Sequence, residues 1–171
     1  MGMALLANLT AYDFGYVPLG VLLERTANTL ATMAELERYQ GHFYNWYDTQ
    51  SLQPLHPVYI SSVDSGNLAG HLLVLRQGLL ALIDQPLLVP NWLAGIRDTV
   101  AIVYDLSADN NLARSRLQAL LEEIDEQAAA VPLPALATAR RRIETLQLQI
   151  SEFVANTPLD ANTDLARWVQ A

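Results

Sequence analysis

Apolar residues recur at helical spacing along most of the chain, so the hydrophobic pattern predicts an all-α protein. The pattern places about seven helices, near residues 3–16, 19–39, 66–84, 91–105, 111–130, 134–156 and 160–170. No alternation of strands with helices indicates a parallel sheet, and no repeat of fixed period is evident. We therefore expect helical hairpins or a bundle.

The second and third helices carry different apolar patterns. A one-sided stripe on the second helix consists of Leu19, Leu22, Leu23, Ala27, Leu30, Ala31 and Ala34. This stripe predicts one buried face, and Gly41 is the expected helix stop. The third helix is apolar nearly all round, which predicts a central helix packed on several sides, with Asp64 or Ser65 as its N-cap.

The C-terminal part predicts a helical hairpin over residues 111–156. The first of its helices has an apolar face of Ala113, Leu117, Leu120 and Ile124. The second has a coiled-coil-like seam of Leu136, Ala139, Ile143, Leu146, Ile150 and Phe153. A short proline-containing connector at 131–134 predicts that the two helices are antiparallel neighbours. Such a seam is more often an intramolecular contact than a dimer zipper.

Residues 42–63 break the helical pattern. The segment begins with aromatic and polar residues together, Pro54 and Pro57 bracket a turn, and residues 58–60 favour extended structure. This composition predicts a long ordered loop with room for one short hairpin. Long loops inside compact domains are often functional.

Composition narrows the function classes. The chain has 171 residues, of which 51% are hydrophobic, and this favours a single folded helical unit. It contains neither cysteine nor lysine, which excludes thiol nucleophiles, zinc-thiolate sites and lysine Schiff-base chemistry. The net charge of −8 argues against a nucleic-acid partner. No segment is apolar for long enough to span a membrane.

The segment 38–71 combines carboxylates, amides, histidines and aromatic rings. Sugars are bound by this mixture, because aromatic rings contact their C–H faces and planar polar groups bind their hydroxyls. The candidate substrate-binding residues are Arg38, His42, Tyr44, Asn45, Trp46, Tyr47, Asp48, Tyr59, Asp64 and Asn67. The alternative is that the aromatic residues fill the core and the polar residues cap helices and turns.

Three kinds of catalytic site are conceivable in the same segment, and we assign none. Asp48 and Asp64 are weak candidates for the acid and base of a glycosidase. His42, Asp48, Asp64 and His71 could bind a metal, but they lack a recognised ligand spacing, so neither a metal nor a cofactor is expected. Ser61, Ser62 and Ser65 lack the nucleophile elbow of serine hydrolases.

Several motifs resemble the glycoamylase-like middle region of the cyclic β-1,2-glucan synthetase family. They are LERYQGHFYNWYDT at residues 36–49 and ISSVDSGNLAGH at 60–71, with the shorter TLAT at 29–32 and LQPL at 52–55. The resemblance covers about residues 4–84. The resemblance thus divides the unit into family-like helices with the loop, residues 1–84, and a helical extension, 85–171. The extension carries no motif of the family and fits either a variable helical insertion or a continuation.

The resemblance implies a part of a large bacterial inner-membrane protein, in which a glycosyltransferase region extends a β-1,2-glucan. The middle region is similar to (α/α)6-toroid glycosidases and is implicated in ring closure by transglycosylation. The present segment would be soluble and cytoplasmic, and its partners would be a β-1,2-glucan chain and the rest of the polypeptide. The abrupt apolar start of the chain also fits a segment of a longer protein.

The chain departs from the family in two respects. The glutamate-bearing catalytic stretches of related toroids are not found, and about seven helices are fewer than the twelve of a toroid. We therefore expect a fragment that is inactive alone and forms homo-oligomers through exposed helix faces. The alternative is a self-contained helical interaction or scaffolding module without sugar chemistry.

Overall fold

The computed structural model describes residues 1–86, 91–108, 111–129 and 136–156. Six helices and one two-stranded hairpin make up the regular structure of these residues, which confirms the all-α prediction. The chain divides into two compact units, Met1–Leu87 and Leu88–Ala171. None of the helices in the described ranges combines the length and hydrophobicity needed to cross a bilayer. The helix predicted at 160–170 lies outside the described residues.

The first unit contains three helices and the hairpin. Its elements are α1 (Gly2–Asp13), α2 (Leu19–Glu35), β1 (Arg38–Tyr39), β2 (His42–Phe43) and α3 (Ser62–Leu82). Helix α1 contacts both α2 and α3, and the small core contains Leu5, Met33 and Leu75. At Gly78 a β-carbon would overlap the side chain of Leu9, so α1 and α3 approach closely there. The first unit is thus organised around α1.

Helix α2 ends four residues earlier than predicted, at Glu35 rather than near Tyr39. The reason is the tight turn between β1 and β2, where Gln40 and Gly41 have φ angles of 50° and 86°. Two consecutive left-handed residues are typical of a two-residue hairpin turn whose twist matches its strands. Gly41 is therefore a hairpin glycine, and the prediction that it stops a helix is wrong.

The buried face of α2 is narrower than the predicted apolar stripe. Leu22, Thr26 and Met33 are buried, whereas Leu23 and Leu30 of the stripe are exposed. The three buried residues are separated by four and seven positions, which places them on one line along the helix. A helix that packs on one side buries such a line, and most of the remaining stripe is exposed to solvent.

Helix α3 was predicted to be central, and this prediction is wrong. Only Leu75 is buried among the residues of α3, all of which the structure describes. Leu73 is 64% exposed, and Val74 is also exposed. The helix also begins earlier than predicted, because the Ser61 hydroxyl accepts a hydrogen bond from the Asp64 amide at 3.1 Å and so caps the helix. The N-cap is therefore Ser61 and neither of the predicted residues.

The second unit contains α4 (Asn91–Leu106), α5 (Asn111–Ala128) and α6 (Leu136–Asn156). One hydrophobic core joins the three helices, and its buried residues are Leu93, Val100, Val103, Ala113, Leu117, Leu120, Ile124, Leu146 and Phe153. The four residues predicted for the apolar face of α5 are all buried. An exposed ion pair also links Arg97 of α4 to Asp125 of α5, with 2.6 Å between Nε and Oδ1.

The seam on α6 faces the interior of its own unit at three positions. Ala139, Leu146 and Phe153 are buried, and Ile150 packs against the core, whereas Ile143 is 42% exposed. A hydrogen bond of 3.0 Å from Gln149 to Glu123 also joins α6 to α5. These contacts agree with the intramolecular interpretation of the seam.

Candidate functional site

The loop at residues 44–61 is held together by its own backbone. The carbonyl of Trp46 accepts a hydrogen bond from the Leu55 amide at 3.0 Å, and an isolated antiparallel bridge joins Tyr47 to Pro54. The Asp48 amide donates to the Gln53 carbonyl at 2.9 Å. The loop is thus an ordered, irregular hairpin, as its sequence predicted.

Asp48 closes the turn at the tip of this loop. Its Oδ1 accepts hydrogen bonds from the Gln50 amide at 3.0 Å, from the Ser51 amide at 2.7 Å and from the Ser51 hydroxyl at 2.9 Å. The Ser51 amide and hydroxyl, with the Gln50 amide, lower the pKa of Asp48, because all three donors favour the charged carboxylate. A general acid must hold its proton near neutral pH, so this geometry fits a turn residue better than an acid catalyst.

Tyr47 links the loop to the end of α2. Its hydroxyl donates to the Glu37 carbonyl at 2.7 Å and accepts from the Tyr44 amide at 2.8 Å. Burial raises the pKa of the Tyr47 phenol, since desolvation disfavours the phenolate. The hydroxyl is therefore occupied by the backbone, and Tyr47 positions the loop.

Arg38 supports the other side of the hairpin. Its Nη2 donates to the Met33 carbonyl at 2.9 Å, and its guanidinium lies 4.4 Å from the centre of the Phe43 ring. A donor at the C-terminal end of a helix satisfies a carbonyl that lacks an intrahelical partner. The contacts of Arg38 are thus those of a residue that connects α2 to the hairpin.

Asn45 connects the loop to the first turn of α3. Its Nδ2 donates to Asp64 Oδ2 at 3.0 Å, and its Oδ1 accepts from the Ser61 amide at 3.0 Å. Two predicted site residues that are far apart in sequence, Asn45 and Asp64, are thus in direct contact.

His42 and Ser65 form a second contact between the hairpin and α3. His42 Nδ1 lies 3.1 Å from Ser65 Oγ, and the Ser65 hydroxyl donates to the Ser61 carbonyl at 2.9 Å. Because the serine proton is engaged with a carbonyl, its oxygen is the acceptor and His42 Nδ1 carries the hydrogen. This arrangement does not activate Ser65 as a nucleophile.

A cleft of about 690 Å³ lies between the start of α1, strand β2 and the first turns of α3. Five predicted site residues line it, namely His42, Tyr44, Asn45, Asp64 and Asn67. Arg38, Trp46, Tyr47, Asp48 and Tyr59 lie outside the lining. The structure therefore brings half of the predicted residues together around one cleft.

Trp46 and Tyr59 are placed close together in the backbone beside this cleft. The amide of Asn45 donates to the Tyr59 carbonyl at 2.9 Å, and Trp46 follows Asn45 directly. The Trp46 side chain is 65% exposed and that of Tyr59 is 59% exposed. These aromatic rings are available to a ligand, in contrast to the engaged hydroxyl of Tyr47.

Sequence reasoning missed the contribution of α1 to the cleft, where Met1, Gly2 and Met3 are lining residues. A β-carbon at Gly2 would overlap His71, which also lines the cleft. A glycine near the start of a helix is a weak signal by itself, because its meaning depends on a partner some seventy residues away. Packing of α1 on α3 therefore creates a wall that no local motif indicates.

The proposed metal ligands do not converge. Within residues 1–86, 91–108, 111–129 and 136–156, no three or more histidine, aspartate or glutamate side chains are grouped so as to hold a metal ion. Asp48 and Asp64 are each engaged by donors of the protein.

Comparison with known proteins identifies a relative. No protein-family model matches the chain. The chain is 33% identical over 151 residues to the cyclic beta-(1,2)-glucan synthase NdvB of Rhizobium meliloti (strain 1021). It is related to a segment of that synthase. The match covers 88% of this chain but 5% of NdvB, so the chain spans about a twentieth of the length of its relative.

The match to NdvB extends beyond the motifs that carry the resemblance. The first unit ends at Leu87, so a match of 151 residues must include most of the second unit as well. Residues 85–171, which carry none of the family motifs, are therefore for the most part similar to NdvB as well. Both units belong to the segment shared with NdvB.

Proposed function

We propose that this chain is a segment of a cyclic β-1,2-glucan synthase and that its first unit contributes part of a glucan-binding cleft. The observation that carries the proposal is the similarity to NdvB over 88% of the chain. The cleft and the neighbouring aromatic residues supply the chemistry that a glucan chain requires.

A glucosyl unit presents hydroxyls around its edge and C–H groups on its faces. Asp64, Asn67 and His42 line the cleft and supply acceptors and donors for hydroxyls. The exposed rings of Trp46 and Tyr59 supply apolar area for the faces of a sugar. A ligand site with a few polar groups beside aromatic surface fits this division of roles.

The segment is proposed to bind without turnover. Asp48 is a turn residue and Asp64 accepts from Asn45, so neither is positioned as a free acid by the described contacts. In this proposal the remaining helices of an (α/α)6 toroid and the catalytic carboxylates come from the rest of the polypeptide. The proposal includes that the longer protein lies in the inner membrane, with this region on the cytoplasmic side.

Tryptophan fluorescence tests the binding proposal directly. The chain has three tryptophans, so Trp92→Phe and Trp168→Phe leave Trp46 as the reporter. Titration with linear β-1,2-gluco-oligosaccharides should give a saturable change with a Kd in the range of about 1 mM, typical of a weak site. An α-1,4-linked oligosaccharide of equal length is the matched ligand control. No saturable change at about 10 mM β-1,2-linked sugar would contradict the proposal.

Asp64→Ala tests the polar part of the cleft. Loss of a charged acceptor for sugar hydroxyls should weaken binding about tenfold. Leu73→Ala, on the exposed side of the same helix, is the matched control and should leave the affinity unchanged. Equal affinities of Asp64→Ala and Leu73→Ala for the sugar would show that Asp64 does not bind it.

The second unit favours an additional scaffolding role. Its core occupies three helices, whereas Leu112, Ile143 and Leu148 remain exposed. We propose that such exposed apolar residues contact the rest of the polypeptide or a second copy of the chain. Light scattering over a concentration series tests self-association, and a concentration-independent monomer would contradict a homo-oligomer.

A further inference from the structure

Asn45, Ser61 and Asp64 form a closed ring of hydrogen bonds that joins the loop to α3. The Ser61 amide donates to Asn45 Oδ1 at 3.0 Å, the Asp64 amide donates to Ser61 Oγ at 3.1 Å, and Asn45 Nδ2 donates to Asp64 Oδ2 at 3.0 Å. Each of the three residues both donates and accepts within the ring. The ring therefore closes only when the loop and the helix start are both in place.

This ring is a modified capping box. In an ordinary capping box, the side chain at the third helical position reaches back to the amide of the N-cap residue. Here Ser61 is the N-cap and Asp64 is the third helical residue, but the carboxylate of Asp64 is bound to Asn45. The Ser61 amide is bound by Asn45 instead. Asn45 thus supplies the missing arm of the capping box from the loop.

The chemistry of the ring specifies an amide side chain at position 45. The residue must accept from one partner and donate to another at the same time, which a carboxamide can do and a carboxylate cannot. A third hydrogen bond, from the Asn45 amide to the Tyr59 carbonyl at 2.9 Å, joins the two loop segments that carry the exposed aromatic rings. Asn45 therefore holds the backbone next to Trp46 against the backbone of Tyr59.

We propose that Asn45 is a positioning residue that couples the aromatic pair Trp46 and Tyr59 to the polar cleft at Asp64. The coupling makes one recognition surface with an apolar part and a hydroxyl-binding part, which suits a pyranose ring. The inference about the ligand rests on the proposed glucan-binding function. The inference about positioning rests on the hydrogen-bond ring and is measurable without any ligand.

The test uses the full chain with Trp46 as its single tryptophan. Asn45→Asp keeps the size and the acceptor for Ser61, but places a carboxylate against Asp64 and opens the ring. Time-resolved fluorescence anisotropy of Trp46 without ligand should show larger local motion, and affinity for β-1,2-gluco-oligosaccharides should fall about tenfold. Unchanged anisotropy in Asn45→Asp would overturn the positioning role.

Two further variants separate this role from a general loss of folding. Asp64→Asn leaves a carbonyl oxygen that accepts from Asn45, so Trp46 motion should stay at the parent level. In the double variant Asn45→Asp/Asp64→Asn, the new carboxylate accepts from both Ser61 and the new amide, which closes the ring again. The double variant should therefore restore the anisotropy of Trp46. A double variant as mobile as Asn45→Asp would overturn the proposal, even if the single variant unfolds.

The two failures are distinguishable. In the first case, the chain without substitutions at positions 45 and 64 binds no β-1,2-gluco-oligosaccharide while the anisotropy series behaves as described. The glucan-binding function then fails and the positioning role stands. In the second case, the chain without these substitutions binds the sugar and Asn45→Asp binds it equally well. The glucan-binding function then stands, and the coupling of Trp46 and Tyr59 to Asp64 fails.

Discussion

The two units use hydrophobic sequence in different ways. The second unit buries nine residues from three helices in one core, whereas the buried cluster of the first unit contains Leu5, Met33 and Leu75. The first unit instead holds its loop with side-chain to backbone hydrogen bonds and leaves much of α3 exposed. Apolar content alone therefore does not indicate a large core. The unit with the smaller cluster carries the polar cleft.

The largest expected effect is in the core of the second unit. Ile124 is fully buried, so Ile124→Ala should lower the free energy of unfolding by about 2–5 kcal/mol through lost burial and a cavity. Ile143→Ala removes the same atoms from a 42% exposed site and should cost less than about 1 kcal/mol. Urea unfolding followed by fluorescence of Trp92, which packs against this core, measures both. Equal losses would refute the assigned core.

The next largest expected change in the free energy of unfolding is at the close contact of α1 and α3 in the first unit. Gly78→Ala would overlap the Leu9 side chain and should destabilise by about 1–2 kcal/mol. Gly70→Ala, on the same helix with open space around it, should stabilise by about 0.5–1 kcal/mol, because alanine is the better helix former. Urea unfolding followed by Trp46 fluorescence measures the pair. A stabilising Gly78→Ala would contradict the close approach of α1 and α3.

The smallest effect is the pH dependence of the loop. Folding lowers the pKa of Asp48, so its carboxylate stabilises the fold fully above the unfolded-state pKa of about 3.9. That stability is lost as pH falls through the folded-state pKa. The difference in urea midpoint between the parent and Asp48→Asn should therefore shrink as pH is lowered below about 4.

Ser51→Ala is the graded control for this pH dependence. It removes the hydroxyl donor but keeps the Ser51 and Gln50 amides as donors to Asp48, so its effect should be intermediate. A difference between the parent and Asp48→Asn that stays constant from pH 7 to about pH 3 would show that the carboxylate charge has no role.

Helix positions and the core of α5 could be predicted because helical periodicity reports burial when one face has neighbours. Ala113, Leu117, Leu120 and Ile124 were predicted and are buried. The same reasoning failed for α3, because a helix that is apolar all round gives no periodic signal to show which side is packed. Its burial depends on which neighbours are present, and the sequence of one helix does not contain that information.

The grouping of the candidate site residues could not be predicted from the sequence. His42, Tyr44, Asn45, Asp64 and Asn67 line one cleft. Their residue types indicated polar recognition. The sequence did not show that these five residues would line the cleft while Trp46 and Tyr59 lie outside its lining, because this depends on how the loop folds. The correct N-cap was also missed. Ser61, Asp64 and Ser65 are all good capping residues, and the choice is made by Asn45, which lies in a different segment.

Hydrogen exchange with and without linear β-1,2-gluco-oligosaccharide tests most directly whether recognition belongs to the first unit. At saturating sugar, amides in residues 38–72 should become more protected, and those in residues 91–108, 111–129 and 136–156 should not change. The α-1,4-linked control sugar should protect neither unit. Protection confined to the second unit, or none in residues 38–72, would contradict the assignment of glucan binding to the first unit.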